Sequence, residues 1–217
     1  EGWTFWLLVA VLNDPRSDPA LTMAQFFFGG TFFFWFAVLI VAPLLTMRTF
    51  SEEKRTGSIE FLLTAPVTDA QVVLAKFLGS WLAYVILWLF TLPFFCLLRA
   101  FTAFDWAPVA TGYLGTWLLG AVLIAIGVLA SSLTRNQVIA AVLSFVVLML
   151  LFSIGILDAF IKDPEMNKLI RYGSLIDHLR DFSKGILDTR PVIFYVSVTA
   201  ICLFLTGRVI GNPRWRS

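Results

Sequence analysis

The residues of this chain best equipped for chemistry lie in one run, Arg48-Thr49-Phe50-Ser51-Glu52-Glu53-Lys54-Arg55-Thr56-Gly57-Ser58-Ile59-Glu60, which carries three cations and three carboxylates. Mixed charge at this density suits charge-assisted hydrogen bonding to another protein. Other candidates fail on residue type. Gly115 and Gly120 have the outer spacing of a phosphate loop, but Ala121-Val122 stands where such a loop needs Lys followed by Ser or Thr. His178 is the only histidine, which excludes two-histidine metal motifs, and Asp158 at the edge of an apolar run has no second intramembrane acid for a carboxylate pair. The same shortage counts against proton-coupled transport, whose relays need ionisable groups within the membrane. Cys96 and Cys202 fall in apolar stretches and read as small hydrophobes, with neither a disulfide framework nor a zinc spacing. No catalytic residue, metal or cofactor is expected on the chain.

The elements that must position the charged run are read from composition. Apolar residues make up 59% of the 217-residue chain and charged residues 14%, against roughly 25% charged in soluble domains; mean hydropathy is +0.87. This is an integral membrane protein. Windows 19–47, 77–98, 106–134, 136–157 and 191–207 contain no charge, and one charged residue at a helix centre costs about 2.5–3.5 kcal/mol on insertion. Gly2 to Leu12 reads as the far end of a truncated first span. The expected fold is an all-α membrane protein with six transmembrane helices, the first truncated, in a single domain 1–217. Its spans fall at about 1–12 (partial), 22–47, 72–98, 107–133, 136–157 and 191–210. Net charge is +2 with Lys and Arg dispersed among acids, so nucleic-acid binding is unsupported.

The polar segment 48–67 reads as an elbow. Thr49 and Glu52 have capping-box spacing, Gly57 permits a turn, Ile59, Leu62 and Leu63 give a second short helix one apolar face, and Pro66 stops it. Thr68 and Gln71 repeat the box and start a helix running through Lys76. Residues 13–22 form a turn-rich loop, and the links at Arg99–Asp105 and Thr134–Asn136 are short. In the long connection 158–190, Asp163, Pro164, Lys168, Arg171 and Gly173 delimit one helix; Ser174, Asp177 and Gly185 delimit another. Leu175, Ile176, Leu179 and Phe182 share a face opposite Asp177, Arg180, Asp181 and Lys184, the pattern of a helix lying in the membrane interface with His178 exposed beside it. A small cap packed on itself would read alike. Gly112, Thr116 and Gly120 form a small-residue face for close helix packing. The aromatic run Phe26, Phe27, Phe28, Phe32, Phe33, Phe34, Trp35 and Phe36 is read chiefly as lipid-facing bulk. Basic residues tie at eight on each side, and the acid-free tail Gly211–Arg216 tips the polar segment and C-terminus towards the cytoplasm.

The run Met47–Val67, with Val73-Leu74-Ala75-Lys76-Phe77, resembles the signature of type-2 ABC transporter permeases, and Asp177–Arg190 resembles their gliding-motility-type branch just before its last span. The resemblance implies a permease subunit, not an enzyme by itself. ATP and Mg would be handled by a separate cytoplasmic ABC ATPase, and a second permease protomer would pair with it in a bacterial inner membrane. By position, Glu52, Glu53, Arg55, Gly57, Glu60, Phe61 and Leu62 would belong to the cytoplasmic coupling helix seated in the ATPase, and 158–190 would be the outer-face helical insertion, with Leu175, Leu179 and Phe182 against lipid. The clean interior suits a hydrophobic or amphiphilic substrate. The alternative is a mechanical or signalling subunit that acts on an envelope partner without transport.

Overall fold

In lipid a backbone segment must satisfy its own N–H and C=O groups, which leaves the helix as the solution for long apolar runs. The computed structural model describes residues 24–58, 68–101, 105–157 and 173–211, and no strand occurs among the described residues. A π-helical turn at Phe26–Gly30 precedes α1 (Phe32–Thr46), α2 (Ser51–Thr56), α3 (Asp69–Leu89), α4 (Leu92–Phe101), α5 (Ala107–Ser132), α6 (Gln137–Leu157), α7 (Leu175–Ser183) and α8 (Thr189–Gly211). Among the described residues five stretches are long and apolar enough to cross a membrane: Phe32–Thr56, Asp69–Ala100, Ala107–Ser132, Gln137–Gly155 and Thr189–Gly211. In the first of these the lipid-compatible part is α1, because α2 carries Glu52, Glu53, Lys54 and Arg55. The partial span 1–12, the loop 13–22, the face built from Ile59, Leu62 and Leu63, and the helix begun by Asp163 lie outside the described residues.

The chain divides into two compact units: Glu1–Val38, Ile86–Leu119 and Leu150–Val192 form one, and Leu39–Val85, Gly120–Met149 and Ile193–Ser217 form the other. The first unit has an aromatic core. Phe27 meets Phe95 and Phe28 meets Tyr113 edge-on, each pair with centroids 4.9 Å apart, and Trp35 lies 5.2 Å from Phe152. This corrects the reading of the aromatic run as lipid-facing bulk: Phe27, Phe28, Phe34 and Trp35 are buried, while Phe32, Phe33 and Phe36 are exposed. The cause is a break in window 19–47. Phe28 (ψ 80°) and Gly29 (φ 95°) leave helical geometry, a conformation glycine adopts without steric cost. The Trp35 indole then donates to the Gly29 carbonyl at 2.9 Å.

Window 77–98 is broken as well, at Phe90–Thr91 between α3 and α4. Pro93 has no N–H to return to Leu89 and cannot continue the ladder. Thr91 ties the break to neighbouring groups: its hydroxyl donates to the Trp88 carbonyl and shares a hydrogen bond with the Tyr113 hydroxyl, both at 2.7 Å.

In α7 the local signals operate as the sequence suggests. Ser174 Oγ accepts from the Asp177 amide at 3.2 Å, and Gly185 (φ 83°) ends the helix with its amide on the Phe182 carbonyl at 3.1 Å. The apolar face, however, turns inward. Leu175, Leu179 and Phe182 are buried; Leu179 rests against Gly29, and Phe182 covers Gly115 so closely that a Cβ there would stand 2.7 Å from Phe182 Cβ. Thr111 Oγ1 donates to the Phe182 carbonyl at 2.7 Å. The face therefore packs on protein, not on lipid, and the assignment of Leu175, Leu179 and Phe182 to a lipid interface is corrected.

His178 is likewise not exposed: it retains 9% of its surface. Burial lowers its pKa from the ordinary imidazole value, opposed by Asp181, Asp177 and Asp188. A depressed folded-state pKa means that the unfolded chain takes up the proton first, so stability is intact above the unfolded imidazole value, about 6.5, and falls as pH drops through it. Thermal unfolding of purified protein from pH 7.5 to 5 should show this decline, and His178→Asn should flatten the histidine-specific part; an identical slope in the variant would refute the assignment.

Candidate functional site

The charged run is built on the second unit, at the junction of α1, α2, the start of α3 and the end of α5. The chain leaves α1 through Pro43 and Thr46, whose carbonyls accept from the Met47 and Thr49 amides at 2.8 and 3.0 Å. It then turns into α2, a helix of 6 residues, too short to be stable alone. Its N-terminus is not capped by Thr49. The N-cap residue is Phe50, with no side-chain cap of its own. The amides of Phe50 and Ser51 instead donate to Ser131 Oγ near the end of α5, each at 3.1 Å, while that hydroxyl donates to the Met47 carbonyl at 3.2 Å. One serine thus satisfies three backbone groups. Phe50, Ser51 and Ser131 are all fully buried, where an orphaned backbone amide costs about 1–3 kcal/mol.

Two further ties fix α2. Lys54 Nζ donates to the Ser132 carbonyl at the end of α5, placing a cation on the negative end of that helix's dipole. Glu53 forms an ion pair with Lys76 of α3, and the same ammonium lies 5.5 Å from the centre of the Phe50 ring. Glu53 and Lys54 are therefore spent inside the molecule. Glu52 is half-buried and Arg55 exposed on the same helix. Gly57 closes α2 in the left-handed region, φ 74° and ψ 0°, with nothing near its absent Cβ. Glu60, Phe61 and Leu62 lie outside the described residues. At Thr68 the capping box is reciprocal: the Thr68 amide donates to Gln71 Oε1 at 2.9 Å and the Gln71 amide to Thr68 Oγ1 at 3.3 Å.

This is a charged surface element held by contacts to two spans, α5 and α3, with no metal-ligand cluster among the described residues. A family profile described as ABC-2 family transporter protein matches residues 9–209. The chain belongs to the ABC-2 transporter family. No curated protein matches it. As an ABC-2 permease it is a multi-pass membrane subunit of an ABC transporter and works with an ATPase subunit.

In the ABC-2 permease the small-residue positions of α5 receive bulky aromatics. In the first unit a Cβ on Gly112 would overlap the Phe28 ring, and Thr116, fully buried, returns its hydroxyl to the Gly112 carbonyl at 2.8 Å. In the second unit a Cβ on Gly120 would overlap the Tyr84 ring. Ser131, Ser132 and Lys76 were not among the candidate site residues read from the sequence. The hints were a pair of serines ending an otherwise apolar helix and the place of Lys76 in the run that resembles the permease signature.

Proposed function

We propose that residues 48–58 form the surface through which this permease couples to its ATPase subunit, with Glu52 and Arg55 offered outward, Glu53 serving as an internal strut and Gly57 setting the turn towards Glu60, Phe61 and Leu62. ATP is bound with Mg and hydrolysed on the partner. The observation that carries the reading is the threefold anchoring of α2, through Ser131, Ser132 and Lys76: a push on so short a helix passes directly into α5 and α3. The segment faces the cytoplasm of a bacterial inner membrane, and two permease protomers pair around the substrate route. A hydrophobic or amphiphilic substrate is favoured because α5 and α6 contain no charged residue that could hold a small ion.

The likeness of Asp177–Arg190 to the gliding-motility branch favours a second reading, in which the same coupling drives an envelope partner mechanically without transport. Reconstituted vesicles separate the two: ATP-dependent movement of a labelled amphiphile supports transport, whereas ATP turnover without movement supports force relay.

Charge reversal tests the docking. Glu52→Lys with Arg55→Glu is expected to reduce copurified ATPase at least about tenfold, the scale of like-charge juxtaposition at an interface, while leaving the amount of membrane-inserted permease unchanged. An unaltered ATPase yield overturns the coupling role.

A further inference from the structure

The link between α5 and α6 borders an open surface pocket of about 460 Å3 lined by Arg55, Thr134, Arg135, Asn136, Gln137 and Val138. Among the described residues that line it, two are guanidinium side chains and none is a carboxylate; the half-buried Lys54 also lies within the field of Arg135. The pocket is set in shape by its own backbone. The Asn136 amide donates to Thr134 Oγ1 at 3.1 Å, and Asn136 Oδ1 accepts from the Val138 amide at 2.9 Å. One wall is apolar and continues out of the pocket: Val138, Val142 and Val146, each one turn beyond the last, are 69%, 56% and 47% exposed. They belong to Gln137–Gly155, which is long and apolar enough to cross a membrane.

A cationic cup at the head of an exposed apolar stripe matches a molecule with an anionic head and an apolar tail. The geometry points to this pocket as a binding site for the phosphate of an anionic phospholipid, with Arg55 and Arg135 on the phosphate oxygens and an acyl chain along Val138, Val142 and Val146. Guanidinium groups suit phosphate because their planar fork can donate to two of its oxygens, and basic pockets at the end of a span are where lipid headgroups lie. Free phosphate shares the head chemistry but leaves the valine stripe without a role. The site goes beyond ATPase coupling and does not require it, yet Arg55 belongs to both surfaces, so a bound headgroup would bear on the side chain offered to the ATPase.

The test uses the purified full chain in detergent, with dioleoylphosphatidylglycerol and dioleoylphosphatidylcholine supplied at equal concentration and retained lipid read by native mass spectrometry. Phosphatidylglycerol is expected to be retained preferentially. Arg135→Gln and Arg55→Gln should each weaken its retention about fivefold, the equivalent of one basic side chain at a membrane surface. Arg208→Gln, which removes a cation at the end of α8, should leave it unchanged, and Arg135→Lys, which keeps the charge, should retain most of the preference and serves if the Gln variant does not fold. Millimolar inorganic phosphate should not displace the lipid. Equal retention of the two lipids, or indifference to Arg135→Gln, overturns the proposal. Full displacement by inorganic phosphate overturns the lipid in favour of a free-ion site. Copurified ATPase is measured in the same samples; an Arg135→Gln protein that loses ATPase but keeps its lipid overturns the proposal in favour of a protein contact, and one that loses lipid but keeps ATPase supports it.

Discussion

Ser131→Ala is expected to lower the thermal unfolding midpoint of the purified permease by about 5–10 °C. Alanine is close to serine in volume, so the change removes hydrogen bonding with little change in packing. The Phe50 and Ser51 amides and the Met47 carbonyl all bond to Ser131 Oγ. Met47 keeps a second donor in the Ser51 hydroxyl, whereas both amides are left buried without that acceptor, at about 1–3 kcal/mol each. Some relaxation brings the total to about 2–4 kcal/mol, and for a chain of this size each kcal/mol moves the midpoint by about 2–4 °C. Ser131→Thr keeps the hydroxyl and should recover most of the loss. Amide hydrogen exchange localises the effect: Ser51 to Arg55 should exchange faster in the Ala variant. A midpoint within about 2 °C of the parent, with unchanged exchange, would show that the hydroxyl is dispensable.

The second large effect is steric. Gly112→Leu with Gly120→Leu should abolish the monodisperse peak on size exclusion, because each new side chain must enter space held by a buried ring, Phe28 at Gly112 and Tyr84 at Gly120. Overpacking by even one or two methylenes typically costs about 1–3 kcal/mol, and leucine adds four carbons at each site. Smaller changes keep the idea testable should the double variant not fold. Gly120→Ala alone should cost about 2 kcal/mol, and Tyr84→Leu in the same chain should restore part of it by making room. Gly79→Ala on α3, where nothing lies within 4 Å of the new carbon, should show no loss. Equal effects at Gly79 and Gly120 would mean that the ring contact is not what matters.

Signals confined to one turn of chain were legible. Thr68 with Gln71 and Ser174 with Asp177 were read as caps from spacing alone, and both make the bonds expected. Thr49 with Glu52 has the same spacing, yet Ser131 takes the amides of that turn from 80 residues away; a local pattern cannot reveal a distant competitor. The all-helical membrane architecture was legible because a charge-free window has few other solutions in lipid. What an apolar face touches was not. Leu175, Leu179 and Phe182 would look the same against lipid or against protein, since both are apolar, and the buried and exposed members of the Phe26–Phe36 run are equally hydrophobic. Only the breaks at Gly29 and Phe90 decide which rings turn inward, and a backbone break inside an apolar window leaves the hydropathy pattern untouched.

The remote cap also fixes an order of events. Residues 48–56 leave the ribosome well before Ser131 exists, and a six-residue helix does not nucleate unaided. Until α5 has been made and inserted, the α2 amides have only water to bond, and closing a loop of this length costs entropy that the final contacts must offset. Synthesis therefore passes through a stage in which this charged segment is present but shapeless, and it takes its working form only in a chain that has completed α3, α4 and α5.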